Sequence, residues 1–196
     1  PHLSMICGSG NSRMTLLKKN KAILFVVLCA ALQAALWSHS RHTPPPLTIV
    51  PQVPTVRAVQ ALSLGDPQFY FRILGMEIEN AGDGFGRFTG LRDYDYEALS
   101  RWFMLLDELD AVSNYIPAMA SYYYANTPIH QDLSHVVTYL DGHYDLDPAK
   151  KWWWLVQAIY LANHKLEDKD LALEIANYLN GDYDIPLWAK QMPAFI

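Results

Sequence analysis

Acidic residues are missing from the first 50 positions, cysteine is missing from everything after position 29, and no stretch alternates polar and apolar side chains two by two. Each absence excludes something. With only Cys7 and Cys29 available, both upstream of the globular part, that part has no disulfide and no thiol nucleophile. No Gly-x-Ser-x-Gly elbow occurs, so the usual route to an activated serine is also missing. Without the two-residue period of a half-buried strand, the chain reads as all α. Charge is lopsided: five Lys and Arg stand in residues 1–50, while ten face 20 Asp and Glu in residues 51–196. The downstream part therefore carries about −10, and a body that acidic is repelled by phosphate backbones, which excludes nucleic acid as a partner. The chain is nonetheless 51% apolar and long enough, at 196 residues, to bury a core.

The basic start has its own logic. Residues 1–13 show no periodicity and are expected to be a non-native or disordered leader, with Met14 the preferred initiator. Lys18, Lys19 and Lys21 precede an uncharged run from Ala22 to Trp37, so residues 14–40 read as a signal anchor or transmembrane helix. A cleaved signal peptide has the same basic start and apolar middle, and Ala31, Ala34 and Ala35 offer small residues for cleavage. The interfacial Trp37 and the lack of a clean Ala-x-Ala favour the anchor. Lysines held on the cytoplasmic side send the rest outward, which in a bacterium with two membranes means an inner-membrane protein with a periplasmic carboxy-terminal domain. Residues 41–55 contain five prolines and are expected to form an extended stalk.

Residues 56–196 are expected to form seven or eight helices in antiparallel pairs. Asp66-Pro67 begins a helix whose buried stripe would be Tyr70, Ile73, Leu74, Ile78 and Ala81. Asp93 or Asp95 caps the next, with Leu99, Trp102, Phe103, Leu106 and Leu109 on one face. Pro117 opens a segment rich in tyrosine, and Thr127-Pro128 opens a helix bearing Leu133, Val136, Val137 and Leu140. From Lys150 a helix is apolar on all its faces, so it must be covered on several sides. Asp168 caps a helix with Leu171, Ala172, Ile175, Ala176 and Leu179 inward, and Pro186 starts the last.

A near-repeat runs through this region. Tyr139-Leu140-Asp141-Gly142-His143-Tyr144-Asp145-Leu146-Asp147-Pro148 matches Tyr178-Leu179-Asn180-Gly181-Asp182-Tyr183-Asp184-Ile185-Pro186, 39 positions later. Both copies are expected to end a helix at Leu-Asx-Gly, with glycine just past the C-terminus, and to start another at proline. A related offset of 34 joins Leu106-Asp107 to Leu140-Asp141, and periods of this size suggest a helical-repeat solenoid. The order Ala61-Leu62-Ser63-Leu64-Gly65, an aromatic helix, Leu105-Leu106-Asp107-Glu108-Leu109-Asp110 and a helix opened by Pro117 resembles bacterial membrane-anchored tetratricopeptide-repeat-like (TPR-like) proteins. The likeness lies in the order of elements, not in the repeat's residue-by-residue signature. It implies a short solenoid of stacked helix pairs that binds other proteins, and it implies no catalytic residues.

Candidate sites follow from residue chemistry. Three consecutive helical residues spread over about 200°, so neither Tyr122-Tyr123-Tyr124 nor Trp152-Trp153-Trp154 can face one layer entirely. Tyr123, Trp153, Gln157, Tyr160 and Asn163 are the candidate groove residues, since exposed aromatics are enriched at binding hot spots, although the same residues would serve as core. In the glycine-rich loop Gly82 to Gly90, Phe85, Arg87 and Phe88 are candidate peptide contacts. That loop follows a helix, whereas a dinucleotide fingerprint follows a strand. Asp141, His143, Asp145 and Asp147 gather metal-type ligands, but with Asp141 at position one of an EF-hand the sixth residue is Leu146 and the twelfth Trp152. His130 and His135 are five apart, off the i, i+4 spacing of a helical zinc pair. No metal and no cofactor is expected. The leading expectation is a protein-protein adaptor or assembly factor on the periplasmic side, with a protein or peptide partner. The alternative is a periplasmic all-α enzyme, a carboxylate-based hydrolase or lyase acting on envelope polymers.

Overall fold

The computed structural model describes residues 10–41, 48–83, 88–181 and 184–196, with side chains from Lys21 onward. Among the described residues every regular element is helical. The chain divides into two compact units, residues 1–47 and 48–196.

Among the described residues, the first unit holds one helix, α1 (Gly10–Ser40). It starts four residues ahead of Met14, inside the expected leader. Its stretch Lys21–Ser40 is 20 residues long and, by length and composition, apolar enough to cross a membrane or to be a signal sequence. At about 1.5 Å per residue this matches a hydrocarbon layer of about 30 Å. Beyond its end the Arg41 guanidinium lies over the Trp37 ring, 4.9 Å from the centroid.

The second unit begins earlier than expected. Val50 is buried, Ile49 and Val53 pack against the core, and the Trp102 indole donates to the Pro51 carbonyl at 2.8 Å. Residues 48–55 are therefore part of the folded body, because their apolar side chains gain more from burial than an extended stalk would give them. Of the expected stalk only residues 41–47 stay outside this unit, and 42–47 lie outside the described residues.

Helices α2 (Val56–Leu62), α3 (Pro67–Glu79) and α4 (Tyr96–Leu109) start where capping chemistry puts them. Thr55, Asp66 and Asp95 accept from the N–H groups of Ala58, Phe69 and Ala98 at 3.3, 2.9 and 2.9 Å. Such caps contribute about 1 kcal/mol each. In α3 the buried face is Phe71, Leu74, Gly75 and Ile78, while Ile73 is exposed. The stripe is thus rotated from the expected one, because Phe71 and Gly75 face Tyr115. The α4 face is as read, with Leu99, Trp102, Phe103 and Leu106 buried and Leu109 packed at its edge.

Between α4 and α6 (His130–Asp145) the chain makes α5 (Tyr115–Ala118), a widened π turn over Met119–Tyr123 and a 3-10 turn over Tyr124–Asn126. Pro117 lies within α5 and does not open it. The buried tyrosines here close off α3. Tyr124 donates to the Ile78 carbonyl at 2.7 Å, Tyr94 to that of Ala81, and Tyr96 to that of Tyr124 at 2.9 Å. Carbonyls at a helix C-terminus have no intrahelical partner, so the Tyr124 and Tyr94 hydroxyls do the work of a C-cap, while Tyr96 ties Tyr124 in place. Gly82, at φ +86°, follows directly, and any Cβ there would collide with the Tyr94 hydroxyl.

Helices α6, α7 (Pro148–His164) and α8 (Lys169–Asn177) pack in sequence, α4 on α6, α6 on α7 and α7 on α8. Their inward residues, among them Val136, Leu140, Leu155, Ile159, Ala172 and Ile175, belong to one continuous core. The tryptophan helix α7 is covered by α6 and α8 on two sides, as its all-round apolarity requires. Asp168 caps α8, accepting from Leu171 at 2.9 Å.

The repeat does not survive as a structural unit. Helix α6 runs straight through Leu140-Asp141-Gly142 to Asp145, because His143 and Tyr144 in the next turn are buried and hold it. It stops after Asp145, with Leu146 as its C-cap, just ahead of Asp147, where the following proline disfavours helical backbone. In the second copy, Tyr178–Asn180 form a 3-10 turn and Gly181 is extended at φ −60°, ψ 164°. Pro148 does open α7, whereas Pro186 is the residue before α9 (Leu187–Lys190).

Candidate functional site

Helix α7 presents Trp153, Gln157, Tyr160 and Asn163 on its one uncovered face. Trp153 is 39% exposed and Tyr160 50%, with Gln157 and Asn163 half-buried. Their spacing of four, three and three residues is that of a single helical stripe. Within the tryptophan trio, Trp154 is buried and donates to Asn114 Oδ1 at 3.0 Å, Trp152 is half-buried, and Trp153 points outward. Among the tyrosines Tyr124 is inside, while Tyr122 and Tyr123 are exposed.

Two further residues complete the surface around Trp153. Its indole donates to the Tyr122 hydroxyl at 3.1 Å. Trp188 of α9, 44% exposed, sets its ring 5.5 Å from Trp152 and 6.4 Å from Trp153, and those two rings are 5.9 Å apart, all edge to face. Three mutually perpendicular indoles form a rigid aromatic corner, with exposed Leu187 beside it. Trp188 could not be found from spacing, because it reaches α7 only through the turn around Pro186. Tyr123 is not part of this corner. It lines a separate cavity of about 400 Å³ with Glu79, Asp83, Tyr115 and Met119. Tyr122 holds the place by Trp153 that the sequence reading gave to Tyr123. Of the loop candidates, Phe85 and Arg87 lie outside the described residues, and Phe88 is exposed.

A second constellation is buried between α4, α6 and α7. His143 Nδ1 is 2.7 Å from Asp107 Oδ2, and the Lys151 ammonium is 3.1 Å from His143 Nε2. Tyr139 donates to the other Asp107 oxygen at 3.3 Å. An ammonium can only donate, so Nε2 accepts and the neutral ring carries its proton on Nδ1, facing the carboxylate. Burial lowers the Lys151 pKa below its ordinary value and raises that of Tyr139 far above its own. A cavity of about 420 Å³ opens onto Asp107, His143 and Tyr139, walled by Met104, Ala111, Gly142 and Leu146, with Glu108 at its edge.

The three acids and the imidazole of the Asp141–Asp147 stretch are not brought together. His143 turns into the core, Asp145 is exposed, and Asp147 pairs with Lys150 at 2.9 Å. Asp141 is half-buried with one oxygen unpaired, and its carboxyl is pushed above the usual range by burial and by Asp145 and Glu174. Among the described residues no three His, Cys, Asp or Glu side chains are placed to hold a metal ion. His130 and His135 both belong to α6, the first exposed and the second half-buried.

Fold and surface together define an all-helical body, preceded in the chain by one helix fit for a membrane, with an aromatic corner and a buried Asp-His-Lys chain. Comparison with protein-family models, with curated proteins and with solved structures gives no match.

Proposed function

We propose that this chain is a single-pass inner-membrane protein whose helical domain stands in the periplasm and binds a segment of another protein, as an adaptor or assembly factor. The observation that carries this reading is the aromatic corner of Trp152, Trp153 and Trp188 with Tyr122. Large aromatics held rigid by one another, and left partly in water, have the chemistry of binding hot spots. The sequential packing of α3, α4, α6, α7 and α8 supports a short TPR-like stack, in which an uncovered face of an inner helix is the docking surface. The near-repeated turns lend it no support. With about −10 of charge on the body, the fitting partner segment is apolar with lysine or arginine, able to set a cation over an indole face.

A photo-crosslinking residue at position 157, in cells, tests this. The expected adduct joins position 157 to a basic, apolar segment of an envelope protein. Binding of that segment to the purified chain then weakens at least tenfold in Trp153→Ala and Trp188→Ala. An acidic segment, or affinity indifferent to both substitutions, would overturn the reading. Orientation is checked by protease accessibility of a carboxy-terminal tag, which should be cut once the outer membrane is opened and before the inner one is breached. A carboxylate-based envelope hydrolase, the rival reading, draws on buried Asp107. Against it, both ring nitrogens of His143 are already engaged within the protein.

A further inference from the structure

Gly142 sits inside helix α6 with no structural reason to be glycine. Its backbone is helical, not left-handed, and a Cβ built on it meets nothing within 4 Å. A glycine in a helix interior costs about 1 kcal/mol against alanine, so the fold gives up stability at this position and gains no packing. What lies against Gly142 is the cavity of about 420 Å³ that opens onto Asp107. A side chain there would intrude on that space.

We propose that this cavity is a binding site for a small organic cation, an ammonium head group on a short apolar body. Asp107 supplies the seat for the head. Its carboxylate is buried, accepting from His143 and Tyr139, and a carboxylate has about four acceptor positions, so there is capacity for a further donor. The charges favour a cation. Lys151 balances Asp107 through the His143 ring, which leaves Glu108 at the rim with no ion pair among the described residues and a single positive ligand as its complement. Met104, Ala111 and Leu146 give the apolar wall, suited to a methylene chain and not to a hydrated ion. The site is separate from the aromatic corner and does not depend on what binds there.

The test uses the full chain in a non-ionic detergent and titration calorimetry with three six-carbon probes, hexylammonium, hexanol and hexanoate. A lysine side chain and a free amine share the same head group, so Nα-acetyl-lysine methylamide forms a further arm that tells a peptide source from a free one. Hexylammonium is expected to bind at least about tenfold more tightly than hexanol, the margin of a charge-assisted hydrogen bond, with hexanoate not binding at all. Glu108→Gln, at an exposed position, should weaken the amine severalfold. Gly142→Leu should abolish binding while the unfolding temperature stays level or rises, which separates a filled site from a broken fold. Equal affinity for alcohol and amine, undiminished binding in Gly142→Leu, or no heat with hexylammonium at millimolar concentration would each overturn the proposal.

Discussion

His143 and Asp107, 36 positions apart in sequence, meet at 2.7 Å inside the domain and bind α6 to α4. Lys151 adds α7 to the same chain. A buried charge that loses its partner has nowhere to be solvated, so this network is more costly to break than to build. Asp107→Ala is expected to destabilise the domain by about 3–5 kcal/mol, since it strands the Lys151 ammonium. Adding Lys151→Met to that variant should recover part of the loss. Urea unfolding of the two single variants and the double one measures the coupling, and strictly additive losses would mean that the two residues do not communicate through His143.

Tyrosines drawn wholly or partly out of water set an alkaline limit on stability. Burial pushes the Tyr94 and Tyr115 hydroxyls up to about 12, with Asp83 adding at Tyr94 and Glu79 at Tyr115, and it raises Tyr96 and Tyr124 as well. In the unfolded chain all four ionise near 10. Folded-state values above unfolded ones mean stability that is complete below pH 10 and lost as the pH climbs through 12. Lys151 runs the other way: its folded pKa is lowered, so its contribution improves as the pH rises toward 10.5. Four groups outweigh one. The unfolding free energy should therefore fall steeply above pH 10, and Tyr94→Phe should flatten that fall while lowering stability at neutral pH. A stability unchanged between pH 9 and 11.5 would contradict the assignment.

Capping and periodicity made part of this fold legible. Asp66, Asp168 and one of Asp93 and Asp95 read as N-caps because a short polar side chain before an apolar-periodic run has one good use, and that use is local; Asp95 is the one that caps α4. The α4 face and the outward stripe of α7 follow from 3.6-residue spacing alone. The Gly142 turn was misread because the burial of His143 and Tyr144 is a tertiary fact that overrides a local stop signal. Asp107 and His143 gave no sign of each other, since their separation of 36 residues is bridged only by packing α4 on α6. Trp188 was invisible for the same reason.

The tryptophan corner should behave as a coupled unit. Edge-to-face aromatic pairs contribute about 0.5–1.5 kcal/mol beyond area burial. A double-mutant cycle on Trp153→Ala and Trp188→Ala is expected to give a coupling energy in that range, with loss of near-UV circular dichroism in either single variant. Zero coupling would mean that the rings are adjacent without contact.

Helix α1 offers the simplest test of where the chain resides. Leu28 lies near the middle of Lys21–Ser40, and its exposed side chain has no protein core to lose. On a bilayer, leucine at a helix centre contributes about −0.5 kcal/mol and arginine costs about 2.5–3.5 kcal/mol, so Leu28→Arg removes roughly 3–4 kcal/mol of insertion free energy. A span of only 20 residues has little apolar length in reserve to absorb that. The variant should move largely to the carbonate-soluble fraction, whereas Leu28→Ile should stay in the pellet. Because the folded unit begins at Thr48, its unfolding midpoint should be the same in both variants. If both stayed in the pellet equally, α1 would not be what holds the protein to the membrane.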